Sequence, residues 1–242
     1  MPDFGTRTLA SIPDLLAIAP GEGEGEDGWE LSDTRVVSLT FELSKTQMMD
    51  LLPEGLIRPV PPYAKVIIVD APDSPAGPYR EAGLYLGARD RVQIRNVLLD
   101  AIVQGDEQLA SSRRCFGGSR RAGTIDLDVS DDGINAVIAS EEGELCRIRM
   151  GDLRRCDATM LKFDALLVPG EEEATPALLR YGVRIPLPEV EGTLSRDWEA
   201  TMPRGAGVWR QLRPAFNVTA FATFGDARLE FPRIPRARAS VG

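Results

Sequence analysis

The sequence predicts a β-rich α+β fold. Short alternating or apolar runs recur along the chain, clusters of Gly, Pro, Asn and Asp separate them, and only two stretches carry a helical pattern. A length of 242 residues suffices for one sizeable core. The expected organisation is therefore a single domain over residues 1–242, with 1–30 partly loop and 233–242 a frayed tail.

Taken in order, GEGEGEDG (21–28) is too rich in glycine and too self-repelling to pack, and reads as a solvated loop. TRVVSLTFELS (34–44) alternates apolar and polar residues like a half-buried strand. Ser44 then stands where an N-cap belongs, opening a short helix, KTQMMDLL, that Pro53 stops, with Met48 and Met49 as core fillers. AKVIIVDA (64–71) is an apolar strand run, DSPAGP is a turn, and a further strand covers 81–87. A second helix is expected around 106–112. AGTIDLDVS (122–130), the tight turn DDG and INAVIAS (134–140) form a hairpin, to which ELCRIRM (144–150) adds a third strand. ATMLKFDALLVPG and ATPALLRYGVRI flank the acidic turn 171–173, and FNVTAFATFGDARLEFP (216–232) closes the chain as a hairpin turning at Gly225 and Asp226.

Composition excludes several functions. With 28 basic against 37 acidic side chains the net charge is -9, the wrong sign for a protein that holds a polyanion, so no nucleic-acid partner is expected. The absence of histidine removes the commonest general base and metal ligand, and every Ser-His or Cys-His dyad with them. Cys115, Cys146 and Cys156 are odd in number and lack metal-ligand spacing, which argues against a zinc site or a disulfide framework and for a reducing cytoplasm. LASIPDLLAIA is broken by Pro13 and Asp14 and has no strongly basic start, so it reads as neither signal peptide nor membrane span. No metal and no cofactor are expected.

Against this acidic background, RRCFGGSRRAG (113–123) gathers four arginines and three glycines. It ends a longer series: LLPEGLIRPVPP, a strand, SPAGPYREAGLYLG, a variable stretch, and then the arginine-rich segment. In order and spacing these resemble the LLPE-L, GPY-E and GRE…PKK segments of the acetoacetate decarboxylase superfamily, from about Leu51 to Gly123, and LLVPGEEEATPALLR echoes the family weakly to about Arg180. The resemblance implies a curved sheet closing into a cone-shaped β-barrel around a central pocket, a few flanking helices, and a homo-oligomer acting on a small molecule.

In that family the first lysine of PKK forms a Schiff base with a keto acid and its neighbour helps to depress its pKa; the matching positions here are Arg120 and Arg121. The arginine of GRE is kept as Arg113, but its glycine and glutamate become Ser112 and Arg114. The tyrosine and proline before the lysines become Gly118 and Ser119. The glutamate of GPY-E matches Glu81, with Tyr79 before it. A Schiff base needs a neutral amine, and a guanidinium, protonated to above pH ~12 and delocalised, cannot supply one. Only Lys45, Lys65 and Lys162 remain, each reading as a solvated or snorkelling lysine.

Arginine can instead grip a carboxylate or enolate through forked hydrogen bonds and stabilise charge developing on oxygen. The expected catalytic pair is Glu81 as acid–base group and Arg120 as anion holder, with Arg113, Tyr79, Arg121, Phe116 and Gly118 at the substrate. Because successive strand residues face opposite sides, only one of Arg120 and Arg121 is expected in a pocket. Asp126 and Asp128 share a strand face that reads as outward and solvated. The expectation is an enzyme of lyase, dehydratase or cyclase type acting on an anionic oxo acid or polyketide-like intermediate. A decarboxylase with a relocated lysine and a catalytically inactive ligand-binding or assembly protein are the alternatives.

Overall fold

The computed structural model describes residues 3–8, 28–75, 77–90, 93–105, 120–157, 166–172, 175–184, 191–205 and 207–233. Its elements are β1 (Gly28–Glu42), α1 (Lys45–Leu51), β2 (Tyr63–Ala71), β3 (Tyr79–Asp90), β4 (Gln93–Gln104), β5 (Arg120–Ser130), β6 (Gly133–Ser140), β7 (Gly143–Cys156), β8 (Leu166–Glu172), β9 (Thr175–Arg184), β10 (Glu191–Thr201), α2 (Val208–Gln211) and β11 (Phe216–Arg233). The β-rich prediction therefore holds.

Local chemistry sets the element ends. The Ser44 hydroxyl accepts the Gln47 N–H at 3.2 Å and caps α1; Leu52, the residue before Pro53, leaves the helix in an extended conformation, as a pre-proline residue must. Asp131 and Asp132 turn β5 into β6 ahead of Gly133, where the φ of +154° disfavours a side chain and a Cβ would fall 2.3 Å from the Met150 carbonyl oxygen.

All strands join one sheet in the order β1-β2-β3-β4-β5-β6-β7-β10-β11-β9-β8, and two further pairings, β1 with β11 and β4 with β8, close it on itself. The first closes a ring of nine strands, β1 to β7 with β10 and β11. The second closes a smaller ring in which β8 and β9 span from β4 to β11. Closure removes unpaired edges. Both rings share the wall β11-β1-β2-β3-β4, whose outer edges fork: β4 gives Asn96 and Val97 to β8 but Ala101 to Gln104 to β5.

The two faces of this wall differ in chemistry. Residues paired directly across strands share a face, so Val37, Ile68, Ala82 and Ile102 form one row, and all four lie in the apolar core shared with Ile125, Ile138 and Ile148. The opposite face carries Ser38, Ile67, Gly83, Ala101 and Arg120 in one row and Val36, Val69, Glu81 and Val103 in the next. It is buried too, yet it holds Ser38, Thr40, Glu81, Asn96, Arg120 and Thr223. Burial of that many polar groups is costly unless they are paired or used.

Several sequence expectations change. Residues 216–232 form one strand, not a hairpin: β11 runs unbroken along β1, and Gly225 (φ +144°) and Asp226 face a bulge where Asp33 (φ +49°) donates its N–H to Asp226 Oδ1 at 3.3 Å. A bulge asks for the same residues as a turn. The strand read at 81–87 extends over Tyr79–Asp90, the one read at 144–150 over Gly143–Cys156, and β4, β10 and α2 were not foreseen. The helix expected around 106–112 lies outside the described residues, as do the loop read at 21–28 except for Gly28, which opens β1, and the tail read at 233–242 except for Arg233, which ends β11.

Candidate functional site

The polar face of the wall brings Glu81 and Arg120 together. Glu81 sits near the start of β3, where the alternation of Tyr79, Glu81, Gly83 and Tyr85 turns each toward this face. Arg120 is the first residue of β5, set beside Ala101 by the parallel pairing of β4 with β5. That pairing is pinned by Arg80, whose Nη1 donates to the Ile125 carbonyl at 3.0 Å, and by Gln104 Oε1, which accepts the Ile125 N–H at 3.3 Å. Gly123 is needed there: a Cβ would lie 2.3 Å from the Ala139 carbonyl oxygen.

The guanidinium grips the carboxylate as a fork, Nε to Oε2 at 2.8 Å and Nη2 to Oε1 at 3.1 Å. The Arg120 side chain is 0% exposed and that of Glu81 6%. The Tyr79 hydroxyl donates to the same Oε2 at 2.5 Å, and the Trp29 ring meets Tyr79 edge-on with centroids 6.2 Å apart. Tyr85 completes the cluster from the same strand. Burial first, and then the Glu81 carboxylate, push its phenol above the usual tyrosine range, while Arg120 draws it back. Such a constellation is a fixed, desolvated set of donors and one carboxylate, suited to hold an anion and to move a proton beside it.

Arg121 points to the other face. Its Nη2 donates to Asp100 Oδ2 at 2.8 Å, and the buried indole Nε1 of Trp209 donates to the same oxygen at 3.0 Å. Strand parity separates the two arginines, as expected, and Arg121 does not join Glu81. Tyr79, Glu81 and Arg120 do come together. Arg113, Phe116 and Gly118 lie outside the described residues, as do Cys115 and Lys162. Asp126 and Asp128 are exposed on β5. Lys45 is exposed and pairs with Asp3 at 2.9 Å. Lys65 is half-buried on β2, opposite Tyr85, with Nζ 5.6 Å from the centre of the Tyr63 ring.

Trp29, Gly83 and Tyr85 were missed in the sequence. The signal for the last two was the period-two spacing Glu81-x-Gly83-x-Tyr85, obscured because the intervening Ala82 and Leu84 are apolar too. An open groove of about 630 Å³ between α1 and residues 211–215 shares no lining residue with the Glu81–Arg120 cluster. Among the described residues no group of three or more Cys, Asp or Glu side chains comes together to hold a metal ion. No helix there is long and apolar enough to cross a membrane.

Comparison with known proteins agrees with this architecture. The chain's fold is similar to that of acetoacetate decarboxylase from Legionella pneumophila subsp. pneumophila str. Philadelphia 1, with a TM-score of 0.71 and 14% identity over 86% of each chain. An acetoacetate decarboxylase-like enzyme from Sphingomonas wittichii RW1 superposes with a TM-score of 0.66 and 15% identity over 86% of this chain and 92% of that one. The enduracididine biosynthesis enzyme MppR, solved in complex with pyruvate, gives 0.65 and 15% over 86% and 90%. At these identities the likeness shows the fold alone. No curated protein matches the sequence. The model of the acetoacetate decarboxylase (ADC) family, however, matches residues 18–181, a stretch that holds most of the shared wall with Glu81 and Arg120 in it; the chain belongs to the acetoacetate decarboxylase family.

Proposed function

We propose that this protein is a small-molecule enzyme that enolises an anionic oxo acid or polyketide-like intermediate without a Schiff base, as a lyase, dehydratase or cyclase. The observation that carries the reading is the forked Arg120–Glu81 pair, buried on the polar face. A buried ion pair is a poor route to stability compared with apolar packing, which favours a use for it.

Glu81 removes a proton from the carbon beside the substrate carbonyl, and the electron pair moves onto the carbonyl oxygen, whose charge Arg120 stabilises. In an elimination the enolate then collapses, expelling a hydroxyl from the next carbon, and the protonated Glu81 returns its proton to that leaving group. Net loss is one water, and Glu81 ends as it began. In a cyclisation the enolate attacks a second carbonyl instead, and Glu81 protonates the new alkoxide. Binding of the substrate anion requires that Arg120 share its donors between Glu81 and the ligand.

Proton exchange tests this. In deuterated buffer the wild-type protein should exchange the α-protons of a short 2-oxo or 3-oxo acid, followed by NMR, and Glu81→Gln and Arg120→Ala should each slow exchange by about 100-fold or more. Exchange unaffected by both substitutions refutes the site. A second reading, decarboxylation at a relocated lysine, is favoured by one observation: Lys65 shares the polar face with Tyr85 and Glu81.

A further inference from the structure

Tyr85 is a buried polar side chain of this face that the reaction above does not use. Its ring lies flat against Gly83: a Cβ there would fall 2.6 Å from Tyr85 Cε2 and 2.8 Å from the hydroxyl oxygen. The hydroxyl end is therefore folded back along β3 from Tyr85 toward Glu81, over the row that joins Gly83 to Ala101 and Arg120. Only 4% of the residue is exposed. The Glu81 carboxylate and the Arg120 guanidinium both act on this phenol, the first holding its proton and the second drawing it off, so the hydroxyl stands within the field of the pair. By contrast the Tyr79 hydroxyl is committed to Glu81. A phenol this close to the pair is placed to meet the oxygen that Arg120 holds.

We propose that the Tyr85 hydroxyl donates to the oxygen of the enolising carbonyl, alongside Arg120, and is a further catalytic residue of the site; this rests on the functional reading above. The ligand class follows from the two donors: a carbonyl whose oxygen gains negative charge, next to a carbon within reach of Glu81. Tyr85 keeps its proton throughout, since burial and the Glu81 carboxylate both hold the phenol protonated. It contributes a hydrogen bond that strengthens as charge grows on the oxygen, and no bond in it breaks. Gly83 is the positioning residue, because only a position without Cβ lets the ring lie where it does.

The test uses pyruvate, a small 2-oxo acid with exchangeable methyl protons, and the same exchange readout. Tyr85→Phe keeps the ring and removes the donor; Gly83→Ala keeps the donor and displaces the ring. Tyr85→Phe should slow exchange by about 100-fold, with a much smaller change in the KM for pyruvate, as for loss of one oxyanion donor. Gly83→Ala should do the same, and the double variant should be no slower than the slower single, because both act through one hydroxyl. Thermal unfolding of each variant confirms that it is folded; if Gly83→Ala is not, Tyr85→Phe alone decides. Equal exchange by wild type and Tyr85→Phe overturns the role of Tyr85 and leaves the functional reading standing. A wild-type protein that exchanges neither pyruvate nor a 3-oxo acid overturns that reading and this inference with it.

Discussion

Replacing Arg120 with methionine isolates the energetics of the site. Arg120→Met removes both arms of the fork, at 2.8 and 3.1 Å, and leaves the Glu81 carboxylate, 6% exposed, with the Tyr79 hydroxyl but without its counter-charge. Removing one partner of a buried ion pair costs about 3–5 kcal/mol, because the remaining charge stays desolvated. For a chain of this size each kcal/mol moves Tm by about 2–4 °C, so the variant should melt about 6–20 °C below wild type. The second half of the cycle decides the cause. Glu81→Leu combined with Arg120→Met removes both charges of the fork and takes away the carboxylate that the Tyr79 hydroxyl donates to, a cost of about 1–3 kcal/mol. The double variant should therefore be more stable than Arg120→Met alone in urea unfolding, with a coupling energy of about 2 kcal/mol or more. A loss of less than about 1 kcal/mol for Arg120→Met, the range of exposed pairs, refutes the buried pairing. So does a double variant whose loss equals the sum of the singles.

Three other expectations concern the rest of the wall and its surroundings. Burial pushes the Cys146 thiol up to about 12, so in the folded protein at pH 8 a thiol reagent should label the half-exposed Cys156 well before Cys146, as read by peptide mass spectrometry. The sign for stability follows: the unfolded thiol ionises near ~8.5 while the native one keeps its proton, so the contribution is whole below that pH and is lost as pH rises toward 12. Gly5→Ala would set a Cβ 2.2 Å from the Leu52 carbonyl oxygen and 2.3 Å from that of Pro53, backbone that cannot yield cheaply. It should cost about 1–3 kcal/mol and speed hydrogen exchange at Gly5 and Arg7, whose amides bond to Leu56 and Leu52. Trp209→Phe deletes the 3.0 Å bond from Nε1 to the buried Asp100 carboxylate and should cost about 1.5–3 kcal/mol in urea unfolding, without altering proton exchange at the site on the other face.

What the sequence disclosed follows from how each residue is used. Strands with one solvated face, such as β5 with exposed Asp126 and Asp128 beside buried Ile125, kept their alternation and were read correctly. β4 was not, because NVLLDAIV is buried on both faces and loses its period, and the one charge within it, Asp100, meets Arg121 and Trp209 from elements distant in sequence. β10 hid behind the exposed Arg196, Asp197 and Glu199, a composition that resembles a loop. Ring closure rests on β1–β11 and β4–β8 pairings that no local pattern encodes. Within the site, Glu81 was legible through the GPY-E resemblance and Arg120 through the arginine-rich segment, and strand parity separated Arg120 from Arg121. That the two side chains grip each other directly was not legible, since it depends on the β4–β5 register.

The central claim is chemistry at this face without a lysine nucleophile. Borohydride reduction in the presence of pyruvate and, separately, a 3-oxo acid, followed by peptide mass spectrometry, tests it most directly, because reduction fixes any imine as a stable adduct on its lysine. The account predicts no adduct on Lys45, Lys65 or Lys162 under conditions in which proton exchange proceeds and Glu81→Gln abolishes it. A stoichiometric adduct on Lys65 or Lys162, lost together with activity when that lysine is replaced, would contradict it.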